Sequence, residues 1–126
     1  MEVTRIIHPI GQGAFYTESI KTNDNLYNVV YDCGSGNHKY TPKRLKQDIA
    51  SFYNPDDVID LLFISHFDND HINGIRELKK RTSNIRNIVV PLIEENDFWY
   101  YQIENPSFET FYRSLSEIAD SAVYRE

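Results

Sequence analysis

Leu61-Leu62-Phe63-Ile64-Ser65-His66-Phe67-Asp68-Asn69-Asp70-His71-Ile72-Asn73-Gly74-Ile75-Arg76-Glu77-Leu78 reads as a buried strand, a polar loop and an amphipathic helix. The loop sets two imidazoles and two carboxylates into six consecutive positions, His66-x-Asp68-x-Asp70-His71. These are the nitrogen and oxygen ligands that Zn²⁺, Mn²⁺ or Fe accept. His66, Asp68 and Asp70 stand at i, i+2 and i+4, positions that share one face of a locally extended backbone. His71 then turns the other way, at the start of the helix. One loop of this kind feeds two adjacent metal positions, as in centres with ions about 3.5–4 Å apart. Shuffling the composition would give the pattern on the order of once per thousand trials. The competing reading is an Asx-turn with Asn69 or Asp70 capping the helix. A cap explains one acidic residue and leaves the other ligand types without a reason.

Working outward, Val3 to His8 and Ala14 to Ile20 read as strands, with Pro9 to Gly13 as a turn between them. Leu26 to Tyr31 makes a hairpin with the second strand across Lys21–Asn25. Thr41-Pro42 predicts an N-cap and a first-turn proline for a helix to about Tyr53, with Leu45, Ile49 and Phe52 inward. Ile59 to Ser65 is the strand that feeds the ligand loop. His71 to Arg81 is the next helix, with Ile72, Ile75 and Leu78 inward, and Ile85 to Val90 the next strand. This strand–helix–strand order predicts a βαβ unit. From Glu94 onward the pattern is helical. Its aromatic stretch runs over 97–118 and includes Phe98, Trp99, Tyr100, Tyr101, Phe108, Phe111 and Tyr112. That stretch is expected to be core or a covered interface; a base-stacking platform is the weaker alternative.

The chain has 126 residues, 40% hydrophobic and 13% aromatic, which predicts a packed core in one α/β domain or part of one. The net charge of −6 argues against a broad basic surface for nucleic-acid backbones. Bound divalent ions would supply positive charge inside a site, so a nuclease is not excluded. Lys39, Lys43, Arg44 and Lys46 form one weak basic cluster, and Arg76, Lys79, Lys80 and Arg81 another. Both are expected to be solvated helix faces. The single cysteine, Cys33, excludes an internal disulfide, fits a reducing compartment and is expected to be a small buried residue. No apolar signal-peptide core opens the chain, and no run approaches the roughly 18 apolar residues of a membrane span. A cytoplasmic protein is the expectation.

The loop His66-Phe67-Asp68-Asn69-Asp70-His71 resembles the His-x-His-x-Asp-His loop of the metallo-β-lactamase superfamily, with Asp68 at the usual second histidine. The Asp variant is similar to the branch of DNA-uptake competence proteins and related nucleases. Gly11-Gln12-Gly13-Ala14 resembles that branch's Gly-Gln-Gly-Asp turn. Tyr31-Asp32-Cys33-Gly34-Ser35-Gly36 resembles its Asp-x-Gly turn, and Asp70 to Gly74 its Asp-His-x-Gly-Gly. The resemblance implies a metallo-β-lactamase-like αββα sandwich with two divalent ions at the sheet edges. His66 and Asp68 would serve the first metal, Asp70 and His71 the second, and Asp70 would help hold a bridging hydroxide as the catalytic group. Asp32 is read as an orienter of a ligand histidine; the alternative is a turn residue. Asp68 makes the first site harder and more anionic, moving preference from Zn towards Mn, Fe or Mg.

The family domain is longer and draws further ligands from its later half. After His71 this sequence has no His and no Cys. Residues 1–126 are therefore expected to be a partial domain, its amino-terminal half, with the 97–118 aromatic face meeting the other half. The implied activity is metal-dependent hydrolysis by a metal-bound hydroxide, on a phosphodiester or other ester-like bond of a nucleic acid or small molecule. The rival is a non-catalytic binding or scaffold module that keeps the fold. Lactamase or thioesterase substrates are less favoured, because those relatives usually have His at position 68. His8 and His38 are expected to be non-ligands, with His38 a surface residue near the site mouth.

Overall fold

The computed structural model describes residues 1–36 and 40–126. His38 and Lys39 lie outside the described residues. Among those described, the elements run β1 (Glu2–Ile7), β2 (Phe15–Lys21), β3 (Leu26–Cys33), α1 (Lys43–Phe52), β4 (Val58–Phe63), α2 (Asn69–Ile72), α3 (Ile75–Arg81), β5 (Asn84–Val90), α4 (Glu95–Glu104), α5 (Phe108–Ile118) and β6 (Ala119–Arg125). The six strands form one sheet in sequence order. The pairs β1–β2 and β2–β3 are antiparallel, and β3–β4, β4–β5 and β5–β6 are parallel. The chain is mixed α/β, with helical crossovers between the parallel strands.

Register puts Val30, Leu62 and Ile88 side by side, and all three are fully buried. Leu45 and Ile49 of α1, Ile75 and Leu78 of α3, and Leu115 of α5 join them in one core. Each such side chain contributes about 1.5–3 kcal/mol by leaving water. The opposite face carries Tyr16, Tyr31, Phe63 and Val89 in register. It is less covered, and Tyr31 stays 44% exposed. The described residues thus supply one sheet with helices over one face, two of the four layers of an αββα sandwich.

Four expectations need correction. Thr41 does not cap α1: the N-cap is Pro42, and the Thr41 hydroxyl donates to Asn73 O instead. The single helix over His71–Arg81 is two, broken at Asn73–Gly74. There Gly74 N donates to Cys33 O (2.8 Å), and a Cβ on Gly74 would meet Leu45 and Cys33. Close packing on β3 sets the break, which sequence periodicity does not record. The helical pattern after Glu94 gives way to β6, because the edge of β5 offers a ladder that Ala119 to Arg125 completes. The second basic cluster is not only a solvated face. Arg81 donates to Tyr53 O (2.6 Å) and Ala50 O (2.9 Å), capping the carboxyl end of α1. No helix among the described residues is long and apolar enough to cross a membrane.

Candidate metal centre

Parallel pairing of Tyr31 with Phe63 brings the carboxyl ends of β3 and β4 to the same edge of the sheet. Asp32 at the end of β3 therefore lies beside the loop that leaves β4. Its backbone is left-handed (φ +58°), uncommon for a residue with a side chain. The carboxylate is buried and fully engaged. Oδ1 accepts from Ser65 N (2.7 Å), and Oδ2 accepts from the Ser65 hydroxyl (2.5 Å) and from His71 Nδ1 (2.8 Å). These bonds offset the roughly 1–2 kcal/mol cost of the left-handed backbone.

This network fixes both imidazoles. A carboxylate only accepts, so His71 holds its proton on Nδ1. Ser65 gives its hydroxyl proton to Asp32 and so accepts from His66 Nδ1 at 2.9 Å. In the neutral form of each ring, Nε2 is then the lone-pair nitrogen that faces the loop carboxylates. The two rings lie 3.8 Å apart, centroid to centroid. His66 Nε2 is 3.3 Å from Asp68 Oδ2, and His71 Nε2 is 3.7 Å from Asp70 Oδ1. Donor atoms of His66, Asp68 and Asp70 lie within 4.8 Å of one another, as do those of Asp32, His66 and His71.

The donor set fits a divalent cation. Metal–ligand bonds of about 2.0–2.2 Å at a tetrahedral angle hold neighbouring ligand atoms about 3.3 Å apart. The His66–Asp68 separation has that value. The Asp32–His71 separation of 2.8 Å is a hydrogen-bond distance, shorter than two ligands of one ion would keep. Asp32 thus fits the carboxylate–histidine pairing that orients a ligand ring.

The loop's path differs from the sequence expectation. Backbone is extended through Asp68 (φ −66°, ψ 146°), which is the N-cap of α2 without a side-chain capping bond. Asp70 and His71 stand in that helical turn, so the shared extended face ends at Asp68 and Asp70 reaches the cluster from the turn. Phe67, between His66 and Asp68, points inward and is 2% exposed. It packs on Phe108, Tyr101 and Tyr112 at 5.3–5.7 Å. Much of the aromatic stretch over 97–118 is thus an internal anchor for the ligand loop. Trp99, Tyr100 and Ile103 of α4 stay exposed.

Two glycines seat the loop from behind. Ala14 N donates to Asp70 O (3.2 Å) and Gly34 N to Ala14 O (2.9 Å). A Cβ on Gly13 would stand 2.4 Å from Asp70 O, and Gly13 has φ +121°. The Asn73 side chain adds a two-way clamp, accepting from Ser35 N (3.0 Å) and donating to Ser35 O (2.8 Å). In front of the cluster lies a cleft of about 350 Å³ lined by Gln12, Asp68, Asp70, Tyr100, Tyr101 and Glu104. Burial pushes the Tyr101 phenol up, so it stays protonated.

A family model described as the metallo-beta-lactamase superfamily matches residues 22–113. The chain belongs to the metallo-beta-lactamase superfamily. The matched span contains Asp32, the whole ligand loop and most of α5. Comparison with curated proteins and with solved structures gave no match. Superfamily members are generally hydrolytic metalloenzymes, which suggests a metal-dependent hydrolase type of function, and the His–Asp clusters are the candidate positions for the divalent metals that members typically bind.

His8 and Cys33 stand outside this centre. His8 stacks on Phe15 (4.1 Å) and bonds Thr17 Oγ1 (2.9 Å), and burial lowers its pKa. Cys33 is fully buried, and burial pushes its thiol up, away from the thiolate a metal needs. Sequence reasoning missed Ser65, Tyr100, Tyr101 and Glu104. Ser65 carried one usable signal, a hydroxyl immediately before the first ligand histidine. The other three reach the cleft only through the turn from β5 into α4.

Asp32→Asn keeps shape and tolerates the left-handed backbone, yet an amide cannot accept three hydrogen bonds on the same terms. It is expected to weaken divalent-metal binding about 10–100-fold. Calorimetric titration with Mn²⁺ or Zn²⁺ checks this, with circular dichroism confirming the fold. Unchanged affinity would mean the rings hold their direction without it.

Proposed function

We propose that this chain is the metal-binding part of a phosphodiester-cleaving hydrolase, in which His66, Asp68, Asp70 and His71 hold two divalent ions. The observation that supports this most is the convergence of both Nε2 lone pairs on Asp68 and Asp70, with the outer nitrogens already tied to Ser65 and Asp32. Such ions, when bound, acidify a water between them and polarise the scissile group. The protein's part is to orient. Asp32 and Ser65 set the ring tautomers, Phe67 fixes the loop, and Gly13 and Gly34 let Asp70 sit close against the turn. Asp70, directly before His71 and 3.7 Å from its Nε2, is the residue assigned to hold the attacking water.

Three oxygen-rich considerations favour Mn, Fe or Mg over Zn. Asp68 replaces an imidazole, Asp70 adds a second carboxylate, and Glu104 adds a third at the mouth. The phosphodiester rests on the resemblance to the DNA-uptake branch, so nucleic acid or a small phosphoester is the proposed substrate class and the cytoplasm the proposed setting. The open sheet face with Tyr31 and Phe63, and separately the exposed Trp99, Tyr100 and Ile103 of the 97–118 aromatic stretch, are the proposed contacts for the second half of the sandwich. A non-catalytic scaffold that keeps the fold is the second reading.

The test uses the longest chain its reading frame encodes. Hydrolysis of bis(p-nitrophenyl) phosphate should disappear on chelation and return with Mn²⁺. Metal binding without turnover would count against the hydrolase reading, and no metal binding at all would select the scaffold.

A further inference from the structure

A second cleft, of about 320 Å³, opens beside the mouth of the metal cluster. The two share a wall. Asn69 and Asn105 line both, and Asn105 Nδ2 donates to Asn69 Oδ1 at 3.1 Å. Their charges are opposite. The metal mouth is lined by Asp68, Asp70 and Glu104. Among the described residues lining the second cleft, Arg76 is the one ionised side chain, and Ser107 and Thr110 add hydroxyls.

Arg76 is held in place there. Its Nη2 donates to Ser114 Oγ (3.2 Å), and Ser114, buried, donates onward to Phe111 O (2.7 Å). One of five guanidinium N–H donors is engaged by this bond. The remaining fork matches the oxygens of a phosphate, which arginine binds in two-point fashion. In a chain of net charge −6, this exposed arginine, beside Ser107, Thr110 and the two asparagines and with Tyr40, Ile72 and Phe111 completing the lining, makes a local positive site.

We propose that this cleft binds a second phosphate of the substrate, the one next to the phosphodiester held at the metal cluster. The proposal rests on the phosphodiester reading above and adds a recognition site to it. Arg76 provides the charge, Ser107 and Thr110 the neutral donors, and the Asn69–Asn105 wall separates this phosphate from the one to be cleaved. A substrate with a single phosphate would occupy only the acidic mouth.

The first arm of the test needs neither metal nor turnover. Inorganic phosphate is titrated into chelator-treated protein and followed by ¹⁵N NMR. Resonances of Arg76, Ser107 and Thr110 should shift saturably, and Arg76→Gln should weaken binding by about fivefold or more. Acetate at equal concentration should shift them less. Phosphate that leaves these residues unmoved, or binds Arg76→Gln equally well, overturns the proposal whatever the enzyme does. The second arm compares thymidine 5′-(p-nitrophenyl phosphate) with its 3′-phosphorylated form, with Mn²⁺ present. Arg76→Gln should raise KM about tenfold for the 3′-phosphorylated ester alone, with kcat little changed. An arginine that merely ties α3 to α5 would lower thermal stability and affect both esters alike, which also overturns the proposal. Absence of turnover on either ester counts against the hydrolase reading and leaves the NMR arm to decide this one.

Discussion

Asp70→Ala is expected to lower phosphodiester turnover by at least about a hundredfold while leaving the fold intact. The two halves of that statement have separate causes. The carboxylate lies 3.7 Å from His71 Nε2 and close to the donor atoms of His66 and Asp68. On the proposed function, its loss removes the residue assigned to hold the water and a proposed ligand of the second ion. Charge stabilisation by such a centre is worth several kcal/mol, and each 1.36 kcal/mol or so is tenfold in rate. Stability should change little, because the backbone of Asp70 is secured independently: its carbonyl accepts from Ala14 N, and Gly13 and Gly34 press on it. Removing one of two neighbouring carboxylates also relieves like-charge repulsion. Steady-state rates with Mn²⁺, together with urea unfolding of the same preparation, separate the two effects. Turnover within a factor of about three of the parent would place the chemistry elsewhere.

The candidate donors could be grouped from sequence because all four crowd into one loop, where no tertiary knowledge is needed to bring them together. Asp32 was legible for a different reason, the resemblance of Asp32-Cys33-Gly34 to the family's strand-ending Asp-x-Gly turn, and only the parallel β3–β4 pairing shows why it matters. The network through Ser65 left one weak trace, the hydroxyl immediately before His66, and a serine before a histidine has many uses. Extended spacing was a good guide as far as Asp68 and failed at Asp70, where the chain starts to coil. Long-range pairing explains the remaining misses. The residues of β6 acquire strand conformation from the free edge of β5, and the helix break at Gly74 comes from Cys33 and Leu45 across the core. The aromatic stretch over 97–118 was expected to be core or a covered interface, and Phe108 and Phe111 are core. Its buried part packs on Phe67, and that link ties the last described helices to the metal loop.

Gly34→Ala should be the most damaging small substitution outside the ligands. A Cβ there would lie 2.5 Å from Asp70 C and 2.6 Å from both Asp70 O and His71 N. All three are backbone atoms of the ligand loop, so no flexible side-chain tip can move aside. Either the loop shifts or β3 does. Overpacking of this kind costs about 1–3 kcal/mol, and the upper end is expected because the neighbours are themselves hydrogen-bonded through Ala14. A displaced loop also separates Asp70 and His71 from His66, so metal affinity should fall about tenfold or more, as it does when groups that orient ligands are lost. Gly11→Ala is the matched control. Gly11 has φ +83° with nothing within 4 Å of its Cβ position, so its cost is the left-handed backbone alone, about 1–2 kcal/mol. It should leave metal binding as it was. Urea midpoints and Mn²⁺ titrations on the two variants read stability and site geometry separately. If Gly11→Ala weakens metal binding as much as Gly34→Ala does, general loosening accounts for both and the seating of the loop on Gly34 has no special part in the centre.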